Sequence, residues 1–486
     1  MPPNPKWVWP QEEIRRIGYQ VIDLIAHYLT SLPNGPVFQP FPRELAANYL
    51  NSSAPKAGES AENILEDFAR EIVRFPFGNG HPRFYGWVNS PPAVISVFAE
   101  ALAAAMNPSC AGGNHAAIYV EREVINWFKQ IVSFPANSMG LLVSGGSMAA
   151  LTALATARYA KCSFDVRKEG LQGAHRRLIF YRSGEGHACH QKAIELMGIG
   201  HENLRIVPHD SALRMDPSAL EAAMVEDRQR GDLPVAVIAS AGTVNTGTID
   251  PLDAISDVCA RHGVWLHVDA AYGGPAILTT KYREQLSGLA RADSLTLDPH
   301  KWMYIPVEAG LVLVRDAEAL RRAFSLVPSY LRTDGRTEGV GGLPWYSEYG
   351  FQQTRGFRAL KVWMALRYHG VEGYSSSIER DISLAELLRD SLRNDRDFEV
   401  FEPQSLSIVC FRFVPQNFGH HLDAVDVLNK AILEKVQLGG EAFLSSTVID
   451  GKFWLRACVI NPYAEEEDIR RTFEAVKLNA VSSLKG

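Results

Sequence analysis

Cysteine is sparse and unpaired in this sequence. The six cysteines among 486 residues (Cys110, Cys162, Cys189, Cys259, Cys410 and Cys458) are scattered, with no CxxC pair and no metal-ligand spacing. A disulfide framework and a thiolate metal centre are therefore not encoded, and the thiols read as reduced. A basic surplus is missing as well. The formal net charge of -6 leaves no electrostatic footprint for nucleic acid and no polybasic patch for a membrane. No uncharged run reaches the ~18 residues that a membrane helix needs. The N-terminal stretch, with Trp7, Trp9, Glu12 and Glu13, lacks the basic-then-apolar order of a signal peptide, so a cytoplasmic protein is expected. No internal repeat is found, which removes repeat architectures.

What the chain does have is apolar material, 46% of its residues, enough for two or more domains. Between Gly140 and Val314 short apolar runs alternate with helical stretches: Leu178–Tyr181, Leu204–Val207, Val235–Ala239, Val264–Val268, Ser294–Leu297 and Gly310–Val314. That alternation predicts an α/β fold with a mostly parallel sheet covered by helices. Ahead of it, Ile14, Ile17, Val21, Ile22, Ile25 and Leu29 recur at helical spacing, and the prolines of 33–42 predict an extended crossing. An amphipathic helix followed by such an arm needs a surface to pack on, and another subunit would offer one. Further helices are predicted over 59–75, 91–106 and 119–132. Gly370 to Gly373 marks the passage to a C-terminal α+β part with strands near 407–413 and 452–459 and a last helix from Glu465. The expected division is a helical arm over 1–92, a large domain over 93–369 and a small one over 370–486.

Three stretches suggest chemistry. In Ser294-Leu295-Thr296-Leu297-Asp298-Pro299-His300-Lys301-Trp302 a lysine follows an apolar strand and a proline bend. Desolvation by Trp302 and Met303 would lower its pKa and make it a nucleophile; taken alone, it reads as a surface lysine at a strand end, since most lysines are solvated. In Val264 to Gly274 a buried strand ends on Asp269, where open α/β sheets bind ligands. An anion there can pair with the pyridinium nitrogen of pyridoxal phosphate, or simply cap a helix. In Gly140 to Leu151 an apolar strand, a Gly145-Gly146-Ser147 turn and an alanine-rich helix form an anion site at a helix N-terminus. His187 and His190, spaced i, i+3, lack a third ligand, so no metal is expected, and His190 reads as a helix-cap histidine. The long glycine-rich segment 324–350, with Tyr330 near its start, is of the kind usually kept for function.

Together with His81-Pro82-Arg83-Phe84 and Ser329-Tyr330-Leu331, these stretches resemble the group II pyridoxal-phosphate-dependent decarboxylases, the family of aromatic-L-amino-acid decarboxylase with glutamate decarboxylase as a cousin. The matching residues span nearly the whole chain. The resemblance implies fold type I, an obligate homodimer with shared active sites, pyridoxal 5'-phosphate as cofactor, and α-decarboxylation of an L-amino acid. It implies that Lys301 carries the cofactor, that Asp269 pairs with its ring nitrogen and that His187 stacks on its ring. Gly146 and Ser147 would anchor the phosphate, with Thr243, Ala271 and His300 as further contacts. Trp87, Ser90, His300 and Thr354 would meet the substrate.

Tyr330 would be the acid that reprotonates Cα, reaching over from the neighbouring subunit. Relatives with phenylalanine there tend to be oxygen-dependent aldehyde synthases. Asp298 departs from the animal aromatic enzymes, which have asparagine at this position. Val88, Asn107 and Ser109 are smaller or more polar than the pocket residues of those enzymes, whereas Thr354 leans towards a phenolic or otherwise polar ring. An aromatic L-amino acid is the substrate expected. The alternatives are glutamate or another polar amino acid, with Arg456 pairing a second carboxylate, and a decarboxylation-dependent aldehyde synthase. Outside the family, an aminotransferase-like enzyme or a silent pyridoxal-binding protein remains open.

Overall fold

A computed structural model describes residues 7–78, 80–326, 345–416 and 422–484. Helices α1 (Gln11–Ser31), α2 (Arg43–Asn51) and α3 (Ala61–Asp67) lead the chain. No helix was expected over 43–51, and the reason is that α2 buries none of its residues and so carries no apolar stripe to read. The helix expected over 59–75 is shorter as an α-helix, because a π-turn takes over at Phe68–Ile72.

Strands β1 (Met139–Val143), β2 (Leu178–Ser183), β3 (Leu204–Val207), β4 (Leu233–Ser240), β5 (Trp265–Asp269), β6 (Ser294–Leu297) and β7 (Gly310–Val314) form one sheet in the order β1-β7-β6-β5-β4-β2-β3. The pairs from β3 through β6 are parallel, and β7 runs antiparallel to both its neighbours. β1 and β6 therefore point the same way, and six of the seven strands end on one edge. Every residue of β1, β2, β6 and β7 is buried, and β1 and β7 accordingly read as continuous apolar runs rather than alternating ones.

The covering helices are α4 (Val94–Met106), α5 (Ala116–Ile131), α6 (Gly146–Lys161), α7 (Val166–Glu169), α8 (Ala188–Leu196), α9 (Pro217–Gln229), α10 (Leu252–His262) and α11 (Ala317–Phe324). In α6, Ala149, Ala153 and Ala157 are buried, and their small side chains let the helix lie close against the sheet. α12 (Ala359–Arg393) leads out of this body, interrupted at Gly370, whose φ of 66° breaks the helical path at the boundary expected from the glycine pair.

The C-terminal part packs strands β8 (Phe398–Val400), β9 (Ile408–Phe413), β10 (Ser445–Ile449) and β11 (Lys452–Cys458), in the antiparallel order β10-β11-β9-β8, against α12, α13 (Leu422–Gly439) and α14 (Glu466–Ser483). Tyr272 ties the two parts together: its ring stacks on Trp302 at 5.0 Å and its hydroxyl lies 2.7 Å from that of Ser407. None of the described helices is long and apolar enough to cross a membrane.

Candidate active site

A cavity of about 440 Å³ opens where the parallel strands end, the position at which open α/β sheets bind ligands. The β1–α6 turn forms one wall. Gly145 has φ 92°, in the left-handed region that favours glycine, and caps α6 with no side chain, so the first N–H groups of the helix are left for an anion. Gly310 makes that turn possible from the other side, since a Cβ there would stand 2.5 Å from the backbone of Gly145.

The floor is the end of β5. Asp269 accepts the N–H of Ala271 on Oδ1 at 3.1 Å, and Oδ2 lies 3.1 Å from Nε2 of His190. Burial pushes this carboxyl up, but His190 and the Lys301 ammonium outweigh it and hold Asp269 well below the usual carboxylate range. Lys301 sits on the loop after β6, with Nζ 2.9 Å from Oδ2 of Asp298. Desolvation acts on it in the expected direction, downward, yet the carboxylates of Asp298 and Asp269 reverse the result and raise its pKa above the ordinary lysine value. The expectation of a lysine with lowered pKa is therefore corrected: without an aldehyde partner, Lys301 is a paired ammonium. Asp298 is 2% exposed, its Oδ1 has no hydrogen-bond partner, and it packs against the anion turn so tightly that a Cβ on Gly146 would lie 2.6 Å from its Oδ2.

The helix cap expected of His190 belongs to His187. His187 is the N-cap of α8, accepting the N–H of Cys189 on Nδ1 at 3.1 Å, and it faces the cavity. His190 caps nothing; it is fully buried behind Asp269. Donor atoms of Cys189, His190 and Asp269 lie within 4.8 Å of one another. The i, i+3 spacing had singled out both histidines, but only the fold brings Asp269 to the second.

Trp87, Gly146, Ser147, Thr243, Ala271 and His300 all line the cavity with Lys301, Asp269 and His187. Nδ1 of His300 lies 2.8 Å from the Ala309 carbonyl oxygen and 3.2 Å from the Ala309 N–H, and the Thr243 hydroxyl accepts the N–H of Thr248 at 3.2 Å. Ser90 is absent from the lining and donates its hydroxyl to the Lys301 carbonyl at 2.5 Å. Thr354 is exposed outside the cavity, next to Arg355, whose guanidinium is buried with Glu121 and donates to the carbonyls of Cys110 and Leu142. Tyr330 lies outside the described residues. Asn107 is the left-handed C-cap of α4, and neither it nor Ser109 lines this cavity.

Arg456 is 2% exposed and donates to the carbonyls of Val244, Asn245 and Trp87. It ties the small sheet to the cavity wall. Sequence reasoning missed Asp381, which is fully buried and accepts from Trp302 Nε1 at 2.8 Å, Tyr304 Oη at 2.7 Å and the Asn461 N–H at 3.3 Å. Burial pushes its carboxyl up to about 7 against those three donors.

Residues 42–414 match the pyridoxal-dependent decarboxylase conserved domain. The chain is 36% identical to an aromatic-L-amino-acid decarboxylase of Bacillus atrophaeus, over 96% of this chain and 95% of that one. It is 29% identical to a phenylacetaldehyde synthase of Arabidopsis thaliana, over 96% of each. Among solved structures, that of Oryza sativa TDC with PLP and tryptamine superimposes with a TM-score of 0.90 at 27% identity, covering 99% of both chains.

Proposed function

The chain belongs to the pyridoxal-dependent decarboxylase family, and from that membership we propose that it converts an aromatic L-amino acid to its amine and carbon dioxide. Pyridoxal 5'-phosphate is the cofactor. The cavity's donor set suits it: an anion turn at Gly145–Ser147, an amine on Lys301, a carboxylate on Asp269 and an imidazole on His187, all lining one space of about 440 Å³. When bound, the cofactor supplies an electron-withdrawing ring that stabilises negative charge left at Cα as carbon dioxide departs.

The protein's part is to hold and orient. Gly146 and Ser147 would offer N–H groups to the phosphate, Asp269 would keep a negative charge for the ring nitrogen, and His187 would pack on the ring. Lys301 carries the cofactor, and Ser90 fixes the backbone that presents Lys301. Trp87 borders the substrate, stacked on Phe77 at 5.0 Å in an aromatic cluster with Phe84 and Phe443. Tyr330 returns the proton to Cα, which makes the amine rather than the aldehyde the product. Two copies of the chain form the working unit, in the cytoplasm.

The observation that carries this reading is the convergence of Lys301, Asp269 and the Gly145–Ser147 turn on one cavity in a chain of this family. For the aromatic side chain, support comes from the relatives' names and from the place of Arg456, which is absent from the cavity lining and holds backbone carbonyls of the wall instead. A panel of amino acids scored by carbon dioxide release tests it. Tyrosine, tryptophan and phenylalanine should lead; preference for glutamate or aspartate would overturn the substrate. Borohydride should bleach the protein's yellow colour and fix the label on Lys301, and a label elsewhere would remove the cofactor assignment.

A further inference from the structure

His190 is used by nothing described so far. Its imidazole has no exposed surface, and it is absent from the cavity lining although Cys189 and Asp269 on either side of it are present there. It therefore stands behind the Asp269 carboxylate rather than beside a ligand. Nε2 lies 3.1 Å from Oδ2 of Asp269 as an ion-pair contact that falls short of hydrogen-bond geometry, and Nδ1 has no hydrogen-bond partner. A buried imidazole without a partner is costly, and an ionised carboxylate accepts only, so the proton of His190 belongs on Nε2, facing Oδ2. Oδ1 is held separately by the Ala271 N–H. With the Ala271 N–H on one oxygen and the His190 imidazole against the other, the carboxylate is restrained from both sides.

We propose that His190 is a positioning residue for the cofactor: by donating Nε2–H to Oδ2 it fixes the plane of Asp269, so that the carboxylate meets the ring nitrogen and keeps it protonated. This rests on the assignment of pyridoxal phosphate to the cavity. The groups facing the imidazole are Cys189 on its own helix and Asp269 and His267 on β5, with the Lys301 ammonium acting on Asp269 from the β6–β7 connection. His267 does not compete for the proton. Burial holds it neutral, down to about 3, and its Nδ1 lies 2.9 Å from the Ser294 hydroxyl. Asp269 in turn raises the pKa of His190 against the effect of burial, the sign expected for a donor facing a carboxylate.

The test uses cofactor-free full-length protein, refilled with pyridoxal phosphate labelled with nitrogen-15 in the ring. His190→Leu removes the donor and keeps the bulk; His190→Gln keeps a neutral N–H donor. Losing the group that orients a liganding side chain weakens a site by roughly 10- to 100-fold. The Leu variant should lose cofactor affinity on that order, and its ring-nitrogen resonance should move towards that of unprotonated pyridine at a lower pH than in the parent. The Gln variant should recover most of both.

If His190→Leu binds within twofold of the parent with the same nitrogen resonance across pH, the proposal is wrong. It is equally wrong if His190→Gln is as impaired as His190→Leu, since that outcome makes His190 packing only. Should the Leu variant not fold, the nitrogen titration of the Gln variant decides alone: a parent-like curve is expected, and an unprotonated ring overturns the proposal. Failure of the parent itself to take up the cofactor on Lys301 would instead overturn the cofactor assignment, and this proposal with it.

Discussion

At the scale of single residues the unusual group is Asp298, a second carboxylate in a cavity that has to receive a phosphate. Its Oδ2 pairs with Lys301 at 2.9 Å. The pair holds Lys301 protonated, since the raised pKa of the amine comes from Asp298 and Asp269 overcoming burial. An ammonium cannot attack an aldehyde, so loading of the cofactor-free protein should speed up as pH rises towards the amine's pKa. Asp298→Asn removes the nearer charge, lowers that pKa and should make loading near neutrality faster by roughly tenfold, the worth of one charge-assisted partner. Stopped-flow absorbance across pH measures this, and an unchanged profile would show that Asp298 does not govern the amine.

Tyr330 carries the other residue-scale prediction. A phenol of pKa ~10 is protonated at neutral pH and can serve as the acid at Cα. Tyr330→Phe should still release carbon dioxide but shift product from amine towards aldehyde, ammonia and peroxide, with oxygen consumed. Amine formation at the parent rate without oxygen uptake would reassign that tyrosine.

At the scale of elements, the sheet was legible and several helices were not. Residues 204–207, 294–297 and 310–314 form strands with the boundaries expected: the last is an unbroken apolar run, and the first two are bounded by Asn203 and Pro208 and by Asp293 and Asp298-Pro299. α2 offers no buried residue to read, and α13 went unmarked in a stretch assigned only to a small domain. In the site, Asp269 and Gly146 were visible because one ends a strand and the other begins a helix, and Lys301 because it follows a strand and a proline bend. Asp381 was not, because its partners Trp302, Tyr304 and Asn461 lie 77 or more positions away and no local pattern announces them.

That network makes α12 the brace of the Lys301 loop, and it has a pH signature. Burial raises the Asp381 carboxyl from an ordinary 3.8 to about 7. The folded chain thus binds this proton more tightly than the unfolded one, and the resulting stability is full below about 4 and is lost as pH rises through about 7. Asp381→Asn has no such proton to lose. Its unfolding free energy should fall less than the parent's between those limits, by on the order of a few kcal/mol. Urea melts at matched pH values test this, and parallel curves would mean that Asp381 is equally protonated in both states.

At the scale of the whole molecule, α1 leaves most of its apolar face uncovered, although Arg16 pairs with Glu62 of α3. Ile17 alone is buried, while Ile14, Tyr19, Val21 and Ile22 are exposed. Burying four such side chains is worth about 6–12 kcal/mol, at about 1.5–3 each. Association costs an estimated 4–15 kcal/mol, so α1 by itself barely suffices. The exposed Val94, Leu102 and Met106 of α4 supply the surplus. The chain of 53.8 kDa should therefore sediment as a species of twice that mass, and Ile14→Glu with Ile22→Glu should shift it towards the monomer. A monodisperse, active monomer at micromolar concentration would end the proposal.

Whether the two sites are shared is answered by mixing. Lys301→Ala protein lacks the amine and Tyr330→Phe protein lacks the acid. If each site takes its lysine from one subunit and its tyrosine from the other, a mixed dimer contains one site with both. After unfolding and refolding an equal mixture, half the dimers are mixed, so amine formation should return to about a quarter of the parent level. If lysine and tyrosine come from the same subunit, no mixed dimer has a whole site and amine formation stays at the level of the two variants measured separately.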